Sequence, residues 1–288
     1  MEFSSQDYAS NTYSNARPTY PVAFFKQLSE FHQGKRDVLI DVGCGPGNFT
    51  LELAKNLQFR QVYGTDMSPG MIDAALQKLA ACGGQSSGKN VQFSVHAAED
   101  LDWIAANTAD MVTAAQCCHW LDFRAFESAV FQALRDRGTI AIWGYVDPSF
   151  TDFPDLDDAI SELQYGADQL GSYWENPGRE ILRNLLESQK LDPKRFDDIT
   201  EVQYRSRDAQ NPVYSQKPLR IDRSMTVAEF EDYIGSWSAY NAWKRANKTQ
   251  PDVRDIFINR VKARACLQPQ SLINVTWNTV YKFARKKC

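Results

Sequence analysis

The chain is 288 residues long, enough to bury a sizeable core as one large domain or two small ones. Its 43% hydrophobic and 24% charged residues are those of an ordinary globular protein in water. A net charge of −4 argues against nucleic acid as the main partner, because neutralising phosphates needs a basic face. No apolar run reaches the length that crosses a bilayer, so no membrane partner is expected. Residues 1–7 carry neither the basic nor the apolar region of a secretory signal. The six cysteines (Cys44, Cys82, Cys117, Cys118, Cys266 and Cys288) contain no Cys-x-x-Cys pair, which predicts free thiols and a cytoplasmic location. Seven Trp and twelve Tyr suit either an aromatic-lined pocket or a large aromatic core.

Near the N-terminus residues 13–21 are turn-rich, and Phe24, Phe25, Leu28 and Phe31 then predict a helix over 22–31. Val38-Leu39-Ile40-Asp41-Val42 is a short apolar run around one aspartate, the pattern of a strand buried on both faces of a parallel sheet. Three glycines follow at alternate positions in Gly43-Cys44-Gly45-Pro46-Gly47, and a helical period runs from Asn48 to about Leu57. This is a strand, a tight turn and a helix start, where bare backbone and unpaired N–H donors can meet a nucleotide-like ligand. Residues 61–66 form a second strand ending in Asp66, and Ser68 is placed to cap the next helix with Pro69 in its first turn. After a loop at 83–88, strands follow at 90–95 and 110–115, a helix at 123–134 and a fifth strand at 139–143. Strands alternating with helices predict an α/β protein whose parallel sheet is wound on both faces by right-handed crossovers.

Beyond residue 145 the pattern loosens. Residues 145–195 are rich in Asp, Pro, Tyr and Trp, with one helix near 179–188. Residues 199–207 alternate as a strand, 227–243 and 253–266 read as helices, and 272–281 as a last strand. No repeat or low-complexity linker intervenes, so one domain over 1–288 is expected. It divides into an N-terminal segment (1–36), a ligand-binding core (37–145), a large insertion (146–270) and the last strand (271–288).

The dinucleotide fingerprint is Gly-x-Gly-x-x-Gly. Here the third glycine comes one residue early, and Asp41 precedes the first by two. Asp66 lies 19 residues after Gly47, where a carboxylate can accept both hydroxyls of a ribose. Together the two motifs point to an adenosine-bearing ligand. Gln116, at the carboxyl end of the fourth strand, falls in the crevice where open α/β sheets bind ligands. His119 and Trp120 follow the same strand, and no metal-ligand spacing surrounds His119, so no metal is expected.

Asp41-Val42-Gly43-Cys44-Gly45-Pro46-Gly47 resembles the glycine motif of class I S-adenosylmethionine-dependent methyltransferases. Asp66-Met67-Ser68-Pro69-Gly70-Met71 resembles their second motif and Ala97-Ala98-Glu99-Asp100 their third. Tyr13-x-x-x-Arg17-Pro18-x-Tyr20-Pro21, Cys118-His119-Trp120 and Ile142-Trp143-Gly144-Tyr145 are similar to the fungal trans-aconitate and cantharidin-resistance methyltransferases. So are Tyr173-Trp174-Glu175-x-Pro177-Gly178-Arg179 and Trp237-Ser238-x-Tyr240-x-x-Trp243, and the likeness spans nearly the whole chain.

This resemblance implies a Rossmann-like, mostly parallel seven-stranded sheet with an antiparallel last strand. It implies S-adenosyl-L-methionine as cofactor and S-adenosyl-L-homocysteine as product. Gly43, Gly45, Met67 and Met71 would lie against the cofactor, Asp41 near its amino group and Gln116 near its methionine moiety. Ala98 and Glu99 would flank the adenine, and Tyr13 and Arg17 would form a lid. His119 and Trp120 would wall the transferring methyl, while Arg17, His119, Tyr145, Trp174 and Arg179 would meet a small-molecule acid. A guanidinium fork such as Arg179 suits a carboxylate. A monomer without a nucleic-acid partner is expected.

A carboxylate acceptor is already ionised at pH 7, so transfer calls for positioning and desolvation rather than a general base. That casts His119 as a positioning residue. The competing readings are a nicotinamide oxidoreductase, a non-catalytic S-adenosylmethionine-binding protein, and a methyltransferase for an isopropylmalate-like acid or a cantharidin-type toxin. The early Gly47 and the lack of a Tyr-x-x-x-Lys relay weigh against the first.

Overall fold

The computed structural model describes residues 17–82, 90–207 and 216–288, so the predicted lid residue Tyr13 and the 83–88 loop lie outside the described residues. Five strands run parallel: β1 (Val38–Val42), β2 (Gln61–Asp66), β3 (Asn90–Val95), β4 (Ala109–Ala115) and β5 (Leu134–Phe150). β6 (Phe196–Tyr204), β7 (Asp222–Thr226) and β8 (Leu272–Lys286) complete the sheet, and β8 runs antiparallel to β5. The order is β3-β2-β1-β4-β5-β8-β6, with β7 pairing β8 beside this path. The expected mostly parallel sheet with an antiparallel last strand is therefore present, with β7 as an addition.

The apolar run of β1 goes where its composition requires. Leu39, Ile40 and Val42 are fully buried between β2 and β4, because helices cover both faces. On one face Phe24 and Leu28 of α1 (Val22–Phe31) and Leu53 and Leu57 of α2 (Asn48–Leu57) share a core with the insertion. The insertion supplies α5 (Asp157–Tyr165), α7 (Val227–Gly235), α8 (Ser238–Ala246) and α9 (Val253–Ala265). Its aromatic residues Phe230, Tyr233 and Trp237 join Trp143 and Trp277 there, so much of the aromatic content is core. On the other face α4 (Phe123–Ala133) and α6 (Gly178–Arg183) pack Phe126, Val130 and Leu182 over Ile40, Val112 and Ile142. α3 (Pro69–Ala81) has its own small cluster of Ile72, Ala75 and Phe93, and Ser68 caps it by accepting the Met71 N–H.

Several boundaries differ from the sequence reading, each for a local reason. The fifth strand runs to Phe150 because β8 supplies an antiparallel partner through Trp143↔Tyr281 to Phe150↔Val275. A register shift between Val146 and Pro148 absorbs Asp147, whose φ is +48°. The helix near 179–188 stops at Arg183, and Leu185 and Leu186 both take left-handed backbone. Their segment is pinned from below by the buried Lys282, whose Nζ donates to the carbonyls of Leu186 and Gln189 at 2.8 and 2.9 Å. The span 227–243 is two helices, since Trp237 between them is extended. The strand expected at 199–207 lies at Phe196–Tyr204. No helix among the described residues is long and apolar enough to cross a membrane.

Asp41 ties three elements together below the glycine turn. Thr50 of α2 donates to its Oδ2 at 2.6 Å and Thr113 of β4 to its Oδ1 at 2.7 Å. The residue is 1% exposed, and burial pushes its carboxyl up to about 6 against the pull of the two hydroxyls, with Asp66 adding to the rise. An acid whose folded pKa is raised takes up its proton more readily in the folded state. Between the unfolded value near 4 and the folded value near 6, stability therefore rises as pH falls. Asp41→Asn keeps the shape and removes the charge. Its unfolding free energy at pH 7 should match or exceed that of the parent. The parent should then gain on it by on the order of 3 kcal/mol as pH drops from 7 to 4. Parallel stability curves for the two proteins in denaturant titrations would place the burden elsewhere.

Candidate active site

The turn after β1 leaves little room for side chains. Gly47 precedes α2 with φ +77°, and a Cβ there would stand 2.7 Å from the Phe93 ring. This packing explains the early third glycine. Gly45, at φ +53°, has nothing within 4 Å of where its Cβ would be, so its backbone borders open space. Its N–H donates to Asp66 Oδ2 at 2.9 Å, and the Ser68 N–H donates to Asp66 Oδ1 at the same distance. Each carboxylate oxygen thus keeps a lone pair beyond the backbone bond. Burial pushes the Asp66 carboxyl up while these two N–H groups pull it back down.

β4 ends at Ala115, and Gln116, which follows it, has left-handed backbone (φ +57°). Its side-chain amide is consumed by Tyr145, donating to the carbonyl at 2.8 Å and accepting the N–H at 2.7 Å. The amide therefore joins β4 to β5, and the residue's backbone N–H does the same by donating to the Trp143 carbonyl at 2.9 Å. The chain then enters a one-turn helix, Cys118–Trp120. His119 is 7% exposed, and its Nδ1 is buried without a hydrogen-bond partner. Burial lowers its pKa to about 3, with the Arg179 and Arg17 guanidiniums pushing the same way, so the imidazole is neutral at pH 7. Trp120 is held by α6: a Cβ on Gly178 would come within 2.4 Å of the indole.

These elements enclose a cavity of about 310 Å³ over the carboxyl ends of the strands. Of the residues expected at a cofactor, Arg17, Gly43, Gly45, Asp66 and Met67 line it. So do Met71, Ala98, Glu99 and Gln116. His119, Trp120, Trp174 and Arg179 line the same space. Two of the expected residues do not. Asp41 sits beneath the turn with both oxygens engaged by threonines. The Tyr145 ring packs against Tyr20 and Trp277, and its backbone carbonyl and N–H hold the Gln116 amide.

Cys117, His96, Leu182 and Ser238 also line the cavity, and sequence reasoning missed them. Leu182 lies one helical turn after Arg179, a spacing that would have found it. Ser238 opens α8, and the Gly235-Ser236 pair was the signal of that helix break. Cys117 is no nucleophile at neutral pH, since burial holds its thiol well above the usual range.

The lining is divided by sign. Asp66 and Glu99 come from the ends of β2 and β3, on one side of the glycine turn. Arg17 and Arg179 come from chain that covers the β4 and β5 side, Arg17 donating to the Ser236 carbonyl at 3.0 Å. Among the described residues there is no cluster of His, Cys, Asp and Glu that could hold a metal ion.

Residues 39–138 match the family described as a methyltransferase domain. A Saccharomyces cerevisiae protein, CRG1, assigned as a probable S-adenosylmethionine-dependent methyltransferase, is 31% identical over 98% of this chain and 97% of its own. A Dictyostelium discoideum protein assigned as a methyltransferase is 27% identical over 88% of this chain and 84% of its own. Among solved structures, an Anaeromyxobacter dehalogenans protein assigned as a type II methyltransferase superposes with a TM-score of 0.71. It is 25% identical, with 93% of this chain and 97% of the other covered. The residues in place fit an adenosine-bearing sulfonium ligand: Asp66 keeps lone pairs for ribose hydroxyls, and Gly45 leaves its side of the turn open. The chain belongs to the class I S-adenosylmethionine-dependent methyltransferases, and S-adenosylmethionine is its cofactor.

Proposed function

We propose that this enzyme methylates a carboxylate oxygen of a small polycarboxylic acid of the trans-aconitate kind. The observation that carries this reading is the pairing of two guanidiniums, Arg17 and Arg179, with a neutral buried His119 in the wall that faces the glycine turn. When bound, S-adenosylmethionine supplies a methyl group activated by a sulfonium. Asp66 and Glu99 would hold its adenosine from the β2–β3 side, and the Gly43–Gly45 backbone would border its amino-acid end. In that orientation His119 and Trp120 would wall the side on which the acceptor binds.

A carboxylate acceptor arrives ionised, so no residue has to take a proton from it. The work left to the protein is alignment at about 3 Å and exclusion of water. Arg179 and Arg17 would bind the acceptor's acid groups, a task for which planar guanidinium forks are suited. His119 cannot serve as a cation at neutral pH. Its unpaired Nδ1 gives one directional hydrogen bond to the acceptor, and Trp120, Leu182 and Trp174 keep the surroundings dry. The enzyme is read as one catalytic unit whose insertion supplies the acceptor side.

Incubation with labelled S-adenosylmethionine and a panel of acids, read by mass spectrometry, tests the assignment. The panel holds trans-aconitate, isopropylmalate and a cantharidin-derived diacid. A methyl ester is expected, and methylation at nitrogen or carbon, or of none of these, would refute it. Asp66→Ala should weaken S-adenosylhomocysteine binding at least about tenfold by calorimetry, the loss of one or two charge-assisted hydrogen bonds. His119→Ala should leave that affinity alone and lower kcat by about tenfold. A large loss of cofactor affinity in this variant would reassign the residue. Because its pKa lies near 3, kcat of the parent should show no ionisation near pH 6.5.

A further inference from the structure

Behind Arg179 three side chains close a ring. Its Nη2 donates to Asp147 Oδ1 at 3.0 Å and to the Tyr165 hydroxyl at 2.7 Å, and that hydroxyl donates to the same Asp147 oxygen. The guanidinium stands 3.9 Å over the Trp174 ring, whose Nε1 is fixed by the Gln164 carbonyl at 2.7 Å. Arg183 closes the outer side, 3.8 Å over the Tyr165 ring and 3.8 Å from Asp147 Oδ2. Arg179 and Trp174 line the cavity, whereas Asp147 and Tyr165 do not.

Two features show that this arrangement is built for something other than the ion pair itself. Both side-chain hydrogen bonds of Arg179 leave from Nη2, while its Nε is buried without a partner. Nη1 makes no hydrogen bond among the described residues and is not shut off from solvent, so it is the nitrogen left for an incoming acceptor. Asp147 itself sits at the bulge of β5 in left-handed backbone, a conformation that an aspartate adopts at a penalty. The fold thus accepts strain in the strand to set one carboxylate behind one guanidinium.

We propose that Asp147 and Tyr165 are positioning residues for acceptor recognition, clamping Arg179 by Nη2 so that its Nη1 meets a carboxylate at the non-reacting end of the acid. The proposal rests on the small-acid reading above. It makes a prediction that charge alone reverses. Asp147 brings a negative charge close to the anion site, so by Coulomb's law its removal should tighten anion binding. If its task is to hold a long, rotamer-rich side chain in one place, its removal should weaken binding.

The test uses the full chain saturated with S-adenosylhomocysteine and titrated with propane-1,2,3-tricarboxylate and with glutarate, which lacks the middle acid group. Asp147→Asn should weaken tricarboxylate binding by about tenfold and Tyr165→Phe by less, with S-adenosylhomocysteine affinity and Tm unchanged. For the acid that is methylated, KM should rise while kcat stays within about twofold. In an Arg179→Ala background the Asp147→Asn change should cost nothing further. Equal or tighter binding by Asp147→Asn, or the same loss without Arg179, overturns the proposal. If the parent binds and methylates no acid, the small-acid reading fails and takes the proposal with it. Parent binding with an indifferent Asp147→Asn defeats the proposal alone.

Discussion

The ligand face is organised by one carboxylate. Asp66 ends β2, yet its oxygens accept the N–H of Gly45, from the turn after β1, and the N–H of Ser68, at the start of α3. A turn of alternating glycines has no side chains to hold its shape, and three left-handed glycines in five residues could wander widely. The Asp66 bonds remove that freedom and make two strand ends and two helix starts into one rigid lip. The same carboxylate lines the cavity, so the group that shapes the turn also borders the space beside it. This economy explains why the residue tolerates burial that raises its pKa.

Electrostatic division follows from this lip. Acids gather on the β2–β3 side, and Asp41 beneath them is also pushed toward protonation. Guanidiniums gather over β4 and β5, and they help keep His119 uncharged. The imidazole and the Asp41 carboxyl are thus shifted in opposite directions by the same burial, each toward its neutral form. The cavity thus has an acidic wall and a basic wall with an uncharged imidazole between them.

The segments legible in sequence were those whose cause is local. Val38–Val42, the glycine turn, Asn48–Leu57 and the Ser68 cap each carry their pattern within about ten residues, and the structure places them as read. Asp66 belongs to the same class, since it closes β2. What escaped depends on distant chain. β5 continues past Trp143 only because β8, more than a hundred residues later, pairs with it, and Gly144, Asp147 and Pro148 otherwise read as loop. Tyr145 carried an aromatic signal, but its ring is claimed by Tyr20 and Trp277, neither near it in sequence. Asp41 is held by two threonines, one from α2 and one from β4, which its local sequence does not announce.

The contact between Gly178 and Trp120 couples two parts of the site that chemistry alone would keep separate. The indole, which lines the cavity, rests on the first residue of α6, the helix whose second residue is Arg179. Any change that shifts Arg179 also moves the surface on which Trp120 lies. Relatives that take different acceptors should therefore have exchanged this helix as a block, together with the loop that carries the indole. A substrate range altered one side chain at a time would meet an early ceiling.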